Sequence, residues 1–299
     1  MTQIRTDLAY EAHQNMPKSQ KGSPDGITFE EYHQRGINAT KIEILNQNAE
    51  KLTGKPQGKY ITVKTERDLT PQLFKEYSQF LAQRIRELLP QEHENILIAG
   101  LGNRFITADS IGPKAISHII VTRHIKSICP AVYKDLSLSD VAALAPGVLS
   151  QTGIESGDII RSIIDDIRPE CLIVIDALAA RTLSHLACMI QLSDYGIQPG
   201  SGVNNSRTAI NREKMGVPVI SIGVPTVVDA SALAFEMSKK LGTSVEKTDE
   251  LFSDSGFECF FTLKESDLIT DNMARLIGYS VNMALHSGLS YEEMLSMCS

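Results

Sequence analysis

Short aliphatic runs recur along this chain, each followed by a turn and then an amphipathic stretch, and this alternation constrains the fold more than any other feature. "ILIA" (Ile96–Ala99), "LIVI" (Leu172–Ile175) and "VPVISI" (Val217–Ile222) are short, continuous and apolar. Such runs mark strands covered on both faces. "GKYITVK", "DVAALAPGV" and "LACMIQL" supply further strands. The intervening segments have helical spacing. In "DLTPQLFKEYSQFLAQRIRELLP", Thr70 is a plausible N-cap and Pro71 suits the first helical position. Leu73, Tyr77, Phe80, Leu81, Ile85 and Leu88 then line one face. Further helices are expected over 113–122, 154–167, 227–241 and about 266–286. Strands alternating with helices predict an α/β fold: a mostly parallel twisted sheet with helices on both faces. A chain of 299 residues is ample for one such domain.

Composition narrows the function classes. The net charge is −7, and no basic stripe suited to tracking nucleic acid stands out. No apolar run approaches the roughly 20 residues needed to cross a bilayer, and the N-terminus lacks an apolar signal core. Cys129, Cys171, Cys188, Cys259 and Cys298 are scattered without Cys-x-x-Cys spacing, which fits a reducing compartment and buried small side chains. A cytoplasmic protein is expected. Residues 1–40 are polar, and a mobile N-terminus is the plain expectation there. The region 240–265 reads as a polar connection.

In an open parallel sheet, functional groups gather beyond the carboxyl ends of the strands. Two such ends carry acids. After Ile96–Ala99 comes Gly100-Leu101-Gly102-Asn103 and then Asp109; directly after Leu172–Ile175 comes Asp176. The first loop begins like a dinucleotide-binding turn, but its third fingerprint position is Phe105 rather than Gly. No Walker loop, His-Glu-x-x-His or Gly-x-Ser-x-Gly occurs. Two carboxylates in a partly dry cleft resist ionising together, so one can act as base on a water and the other as acid on a leaving amine. The same pair could ligate a divalent cation. Asp165 and Asp166 fall on the polar side of an Ile-rich helix and are expected to face solvent. His118, His124, His185 and His286 are expected to be surface or satisfied core residues, and Cys188 has no evident His partner.

Seven stretches in order carry a resemblance to the germination proteases, the spore proteases that degrade small acid-soluble spore proteins. They are "RTDLAYEA" (Arg5–Ala12), "AGLGNRFITADSIGPKA" (Ala99–Ala115), "APGVLSQTGIESGDII" (Ala145–Ile160), "IDALAARTL" (Ile175–Leu183), "LSDYGIQPGSGV" (Leu192–Val203), "GVPVISIGVPTVVDA" (Gly216–Ala230) and "NMALH" (Asn282–His286). The resemblance implies an atypical aspartic endopeptidase with a fold like that of the hydrogenase maturation proteases, with Asp109 and Asp176 in the two functional acid positions. Gly102, Asn103 and Arg181 are expected to support them. It also implies a zymogen that trims its own N-terminus, with a propeptide of residues 1–8, a single peptidase domain of residues 9–299 and a cut between Leu8 and Ala9, to within a residue or two. The expected substrates are small acid-soluble spore proteins, the expected location the forespore or spore core, and the expected assembly a homotetramer, with no cofactor. The region from about Leu241 to Glu265 is shorter than in bacillus-type members. A metal-dependent peptidase of the maturation type and a nucleotide-binding module are the alternatives.

Overall fold

A computed structural model of the chain describes residues 6–14, 25–200, 207–242 and 259–297. Most of the expected polar connection, the centre of the Gly- and Asn-rich loop and Cys298 lie outside these residues.

Eleven strands are seen among the described residues: β1 (Ile27–Gln34), β2 (Ile37–Ile44), β3 (Gly58–Lys64), β4 (Asn95–Gly100), β5 (Asp140–Leu144), β6 (Cys171–Ala180), β7 (Met189–Ser193), β8 (Gly196–Ile197), β9 (Ile210–Asn211), β10 (Val219–Asp229) and β11 (Phe260–Phe261). The main sheet runs β1-β2-β3-β7-β10-β6-β4-β5, with β11 on β10. β5, β4, β6 and β10 are mutually parallel. β7, β3, β2 and β1 extend this parallel block as antiparallel neighbours.

Side-chain alternation assigns the two faces. Ile96, Ile98, Ile173, Ile175, Ile220, Ile222, Ile190 and Leu192 pack on one face, with the helices Pro71–Leu88, Ile111–Ile116 and Ser266–Leu285. Leu97, Ala99, Leu172, Val174 and Val219 pack on the other, with Ile160 and Ile164 of the helix Ser156–Ile167. Helices therefore cover both faces of the parallel block, as the continuous apolar strands require. Thr70 caps Pro71–Leu88 as expected, its hydroxyl accepting the Leu73 N–H at 3.3 Å. Asp165 and Asp166 are exposed. Cys171 is buried, and burial pushes its thiol up to about 12, whereas Cys129 and Cys259 are exposed.

Three expectations need correction. Residues 27–44 form a hairpin rather than a mobile tail. Its two-residue turn uses Arg35 and Gly36, both at positive φ, the geometry that matches strand twist. β1 is exposed at most positions, so its sequence lacks the alternation that betrays a half-buried strand. The helix expected over 113–122 is short, Ile111–Ile116. The chain beyond it is held instead by Asn282 and His286: the Ile120 N–H donates to Asn282 Oδ1 at 2.9 Å, and His286 Nε2 lies 3.1 Å from the Ile120 carbonyl. Finally, β6 continues past Ile175 to Ala180, and residues 227–229 belong to β10, with Asp229 capping the helix Ala230–Leu241.

Candidate active site

The two acids meet where β4 stops and β6 continues. Gly100 pairs with Ile175, the last register partner between these strands. The Leu101 N–H still donates to the Ile175 carbonyl at 2.8 Å, and then the chain turns away at Gly102, whose φ is +108°. A Cβ on Gly102 would lie 2.0 Å from the Asp109 carbonyl oxygen, so only glycine lets the loop double back this closely. That fold-back brings Asp109 against the turn, where its Oδ2 accepts the Asn103 N–H at 2.8 Å. Asn103 Oδ1 accepts from the Phe105 N–H at 3.0 Å and from Gln151 Nε2 at 2.7 Å, bracing the loop. The Thr226 hydroxyl, at an irregularity in β10, donates to the Ala108 carbonyl at 2.6 Å and ties the loop to the sheet.

Asp176 is 6% exposed, and its Oδ1 accepts the Ala177 N–H at 2.8 Å. Burial, then the charge of Asp109, then that of Asp7 push its carboxyl well above the usual range, against the pull of the Ala177 N–H and Arg207. Burial also raises Asp109, against the Asn103 N–H and Arg207. The Asp109 charge thus opposes ionisation of Asp176, and Arg207 pulls both carboxyls down. Among the described residues, no group of three or more His, Cys, Asp or Glu side chains is placed to hold a metal ion.

Register extends the site across three strands. Gly223 of β10 is the Cα partner of Asp176 on β6 and of Gln191 on β7. All three have the parity of the face that carries Leu178 and Met189. Gly223 lets the Leu178 side chain pack directly over the backbone between Asp176 and Gln191, and a Cβ there would lie 2.5 Å from Leu178.

The chain's own N-terminal segment lies over this part of the sheet. Leu8 is fully buried among Leu178, Leu186, Met189 and Val228. Gln191 grips the backbone on both sides of it: Nε2 donates to the Asp7 carbonyl at 3.1 Å, and Oε1 accepts the Ala9 N–H at 2.7 Å. Asp7 pairs with Ala179, accepting its N–H at 2.8 Å through the carboxylate and donating its own N–H to the Ala179 carbonyl at 3.0 Å. Lys55 Nζ donates to the Thr6 carbonyl at 2.6 Å.

The structure thus brings together Asp109, Asp176, Gly102 and Asn103; Leu8 packs on Leu178 of the strand that carries Asp176, and the Ala9 N–H is held by Gln191. Arg181 is placed differently: its guanidinium lies over the Phe235 ring at 5.3 Å, and its backbone amide meets the N-terminal segment through Glu11. The sequence reading missed Gln191 and Arg207. A polar Gln inside the apolar run "MIQL" was the available signal for one of them.

The family described as germination protease matches residues 4–238. A germination protease of Caldanaerobacter subterraneus subsp. tengcongensis is 39% identical, covering 97% of each chain. One from Clostridium perfringens is 37% identical over 98% of each, and one from Priestia megaterium is 32% identical over 97% of this chain and 95% of its own. Among solved structures, a [NiFe] hydrogenase maturation protease from Thermococcus kodakarensis aligns with 66% of this chain and 98% of its own, at a TM-score of 0.36 and 14% identity. With the family matched over most of its length and full-length relatives above 30% identity, this chain belongs to the germination protease family of peptide-bond hydrolases.

Proposed function

We propose that the chain is an endopeptidase of aspartic type in which Asp109 and Asp176 share a proton and work as a pair. The ionised partner takes a proton from a water, the water attacks the peptide carbonyl, and the protonated partner gives its proton to the leaving amine. The raised pKa directions of both carboxyls and the Asp109 charge acting on Asp176 support this division of labour. Gln191 serves as a positioning residue that holds the peptide backbone along the Asp176–Gly223–Gln191 row.

The reading extends to self-processing. Residues 1–8 act as a propeptide and residues 9–299 as the peptidase domain, with the cut at Leu8–Ala9 to within a residue or two. The observation that carries the proposal is that Gln191, in one register row with Gly223 and Asp176, holds both the Asp7 carbonyl and the Ala9 N–H. Small acid-soluble spore proteins are the proposed substrates, and the forespore or spore core the proposed location. Among the described residues no helix is long and apolar enough to cross a membrane.

The test is incubation of the purified protein with a small acid-soluble spore protein, with products and the new N-terminus mapped by mass. Asp109→Asn and Asp176→Asn should each reduce kcat by roughly 10²–10⁴-fold while circular dichroism stays that of the parent. Full activity in either variant overturns the pair. Loss of activity on chelation, restored by a divalent ion, would assign the acids to a metal instead.

A further inference from the structure

The β8–β9 hairpin lies on the sheet face that carries Asp176. On β6, Leu172 and Val174 precede Asp176 on this face, and Leu178 and Ala180 follow it. Ile197 of β8 packs against both apolar groups, and Ile210 of β9 is buried within the first. The hairpin therefore spans the position of Asp176. Its two strands approach closely at Gly196, where φ is +100° and a Cβ would lie 2.2 Å from the Ile210 carbonyl oxygen. Asn211 Nδ2 donates to the Tyr195 hydroxyl at 3.2 Å and braces the base of the hairpin. Beyond Ile197 and Ile210, the Arg207 N–H donates to the Pro199 carbonyl at 3.1 Å. Arg207 is thus held two residues past the last strand pair on one side and three residues before it on the other.

This one cation acts on both acids, drawing each carboxyl down. It is committed to neither. Asp109 accepts the Asn103 N–H and Asp176 the Ala177 N–H, and among the described residues no ion pair joins Arg207 to either carboxylate. Arg207 is half-buried, and a guanidinium is a planar fork of donors with a permanent charge. Such a group is most effective where charge develops during a reaction in a site poor in water. The acid pair creates that demand. One carboxylate and one carboxyl carry a single negative charge between them. When the carboxylate takes a proton from water and the water oxygen bonds to the carbonyl carbon, the C=O electron pair moves onto the carbonyl oxygen. The negative charge has then left the acids for the substrate.

We propose that Arg207 is a further catalytic residue: its guanidinium donates to the carbonyl oxygen of the bond being cut and stabilises that oxygen as it becomes negative. On collapse the oxygen's electron pair re-forms C=O, the C–N bond breaks, and the protonated acid gives its proton to the departing amine. The acids move protons, and Arg207 holds the charge between the two steps. This assignment rests on the endopeptidase reading above.

The test follows cleavage of a small acid-soluble spore protein by the full-length parent, Arg207→Ala, Arg207→Lys and Asp109→Asn over a range of pH. Arg207→Ala should lower kcat by roughly 10²–10³-fold at every pH, the cost of one lost oxyanion donor, with KM changed far less. Arg207→Lys, which keeps the charge without the fork, should fall between parent and Ala variant. Added guanidinium ion should restore part of the Arg207→Ala rate and none of the Asp109→Asn rate. Two inhibitors give a readout without turnover. A peptide difluoromethyl ketone, hydrated to resemble the tetrahedral intermediate, should bind Arg207→Ala more weakly than the parent. The matching reduced-bond peptide, which has no oxygen at that carbon, should bind both alike. Arg207→Lys carries the same comparison if Arg207→Ala fails to fold. A variant whose acid limb moves to higher pH but whose plateau kcat equals the parent's would show that Arg207 only sets the protonation of the acids, and overturns the assignment. Equal loss of affinity for both inhibitors overturns it as well. A parent that cuts no spore protein sinks the peptidase reading itself, whereas an active parent with a fully active Arg207→Ala removes this assignment alone.

Discussion

Asp176 is buried beside another acid, which places a titrating group on a sheet floor with little solvent. Its folded pKa lies above the unfolded value of about 3.9. A carboxyl shifted in this direction contributes its full stability below the unfolded pKa and loses it as pH rises through the folded one. Each unit of that shift is worth about 1.4 kcal/mol. Asp176→Asn should therefore raise Tm at pH 7, by roughly 2 °C per kcal/mol in a chain of this size, and give no gain near pH 3.5. Calorimetric scans of parent and variant at the two pH values check this; a gain of equal size at both would mean that the Asp176 charge is not under strain. The residue scale was also where sequence reasoning reached furthest. An acid adjoining a buried aliphatic run cannot lie far from the core, although the strand runs on through Asp176 to Ala180, and Asp109 follows a glycine turn whose two glycines restrict where the loop can go. Leu8 was legible only through resemblance, because an apolar residue in a polar N-terminus has no partner until the sheet is assembled.

At the scale of elements, the site is a row across β6, β10 and β7 rather than a motif. Gly223 lies between Asp176 and Gln191, and the Leu178 side chain packs over it. Gly223→Val should push Leu178 into the Leu8 pocket, lowering kcat/KM by roughly 100-fold. Overpacking would cost about 1–3 kcal/mol of stability. Steady-state kinetics with a denaturant titration check both, and an active variant would move the substrate path elsewhere. The same scale explains the loop: Thr226 anchors Ala108 from β10, so the position of Asp109 depends on a strand more than a hundred residues later. The stretch "NMALH" likewise has an architectural use. Asn282 and His286 tie the helix Ser266–Leu285 to the irregular chain at His118 and Ile120, supporting the sheet face opposite the site.

For the whole molecule, the parallel block supplies the acids, and the antiparallel extension through β7 and β3 widens the surface on which the N-terminal segment rests. Lys55, Gln191, Ala179 and the turn after β6 all hold this segment, so residues distributed along the chain converge on one peptide. We propose that the assembled form is a homotetramer. Light scattering coupled to size exclusion should give a mass about four times that of the 32.8 kDa chain, and a monomer mass at micromolar concentration would reject it.

The sequence by itself determined the alternation of buried strands and amphipathic helices, and with it the α/β class, because continuous apolar runs and 3.6-residue periodicity are local properties. It also singled out Asp109 and Asp176 as candidates, because a charge adjoining a buried aliphatic run is conspicuous along the chain. Only the tertiary structure decided that Gln191 and Gly223 share a row with Asp176, that Arg207 is felt by both acids, that Arg181 turns to Phe235, and that Glu11 finds His185. Strand order in a sheet is not sequence order: β7 and β6 flank β10 although all three are separate in the chain, and contacts set by that neighbourhood have no spacing to read.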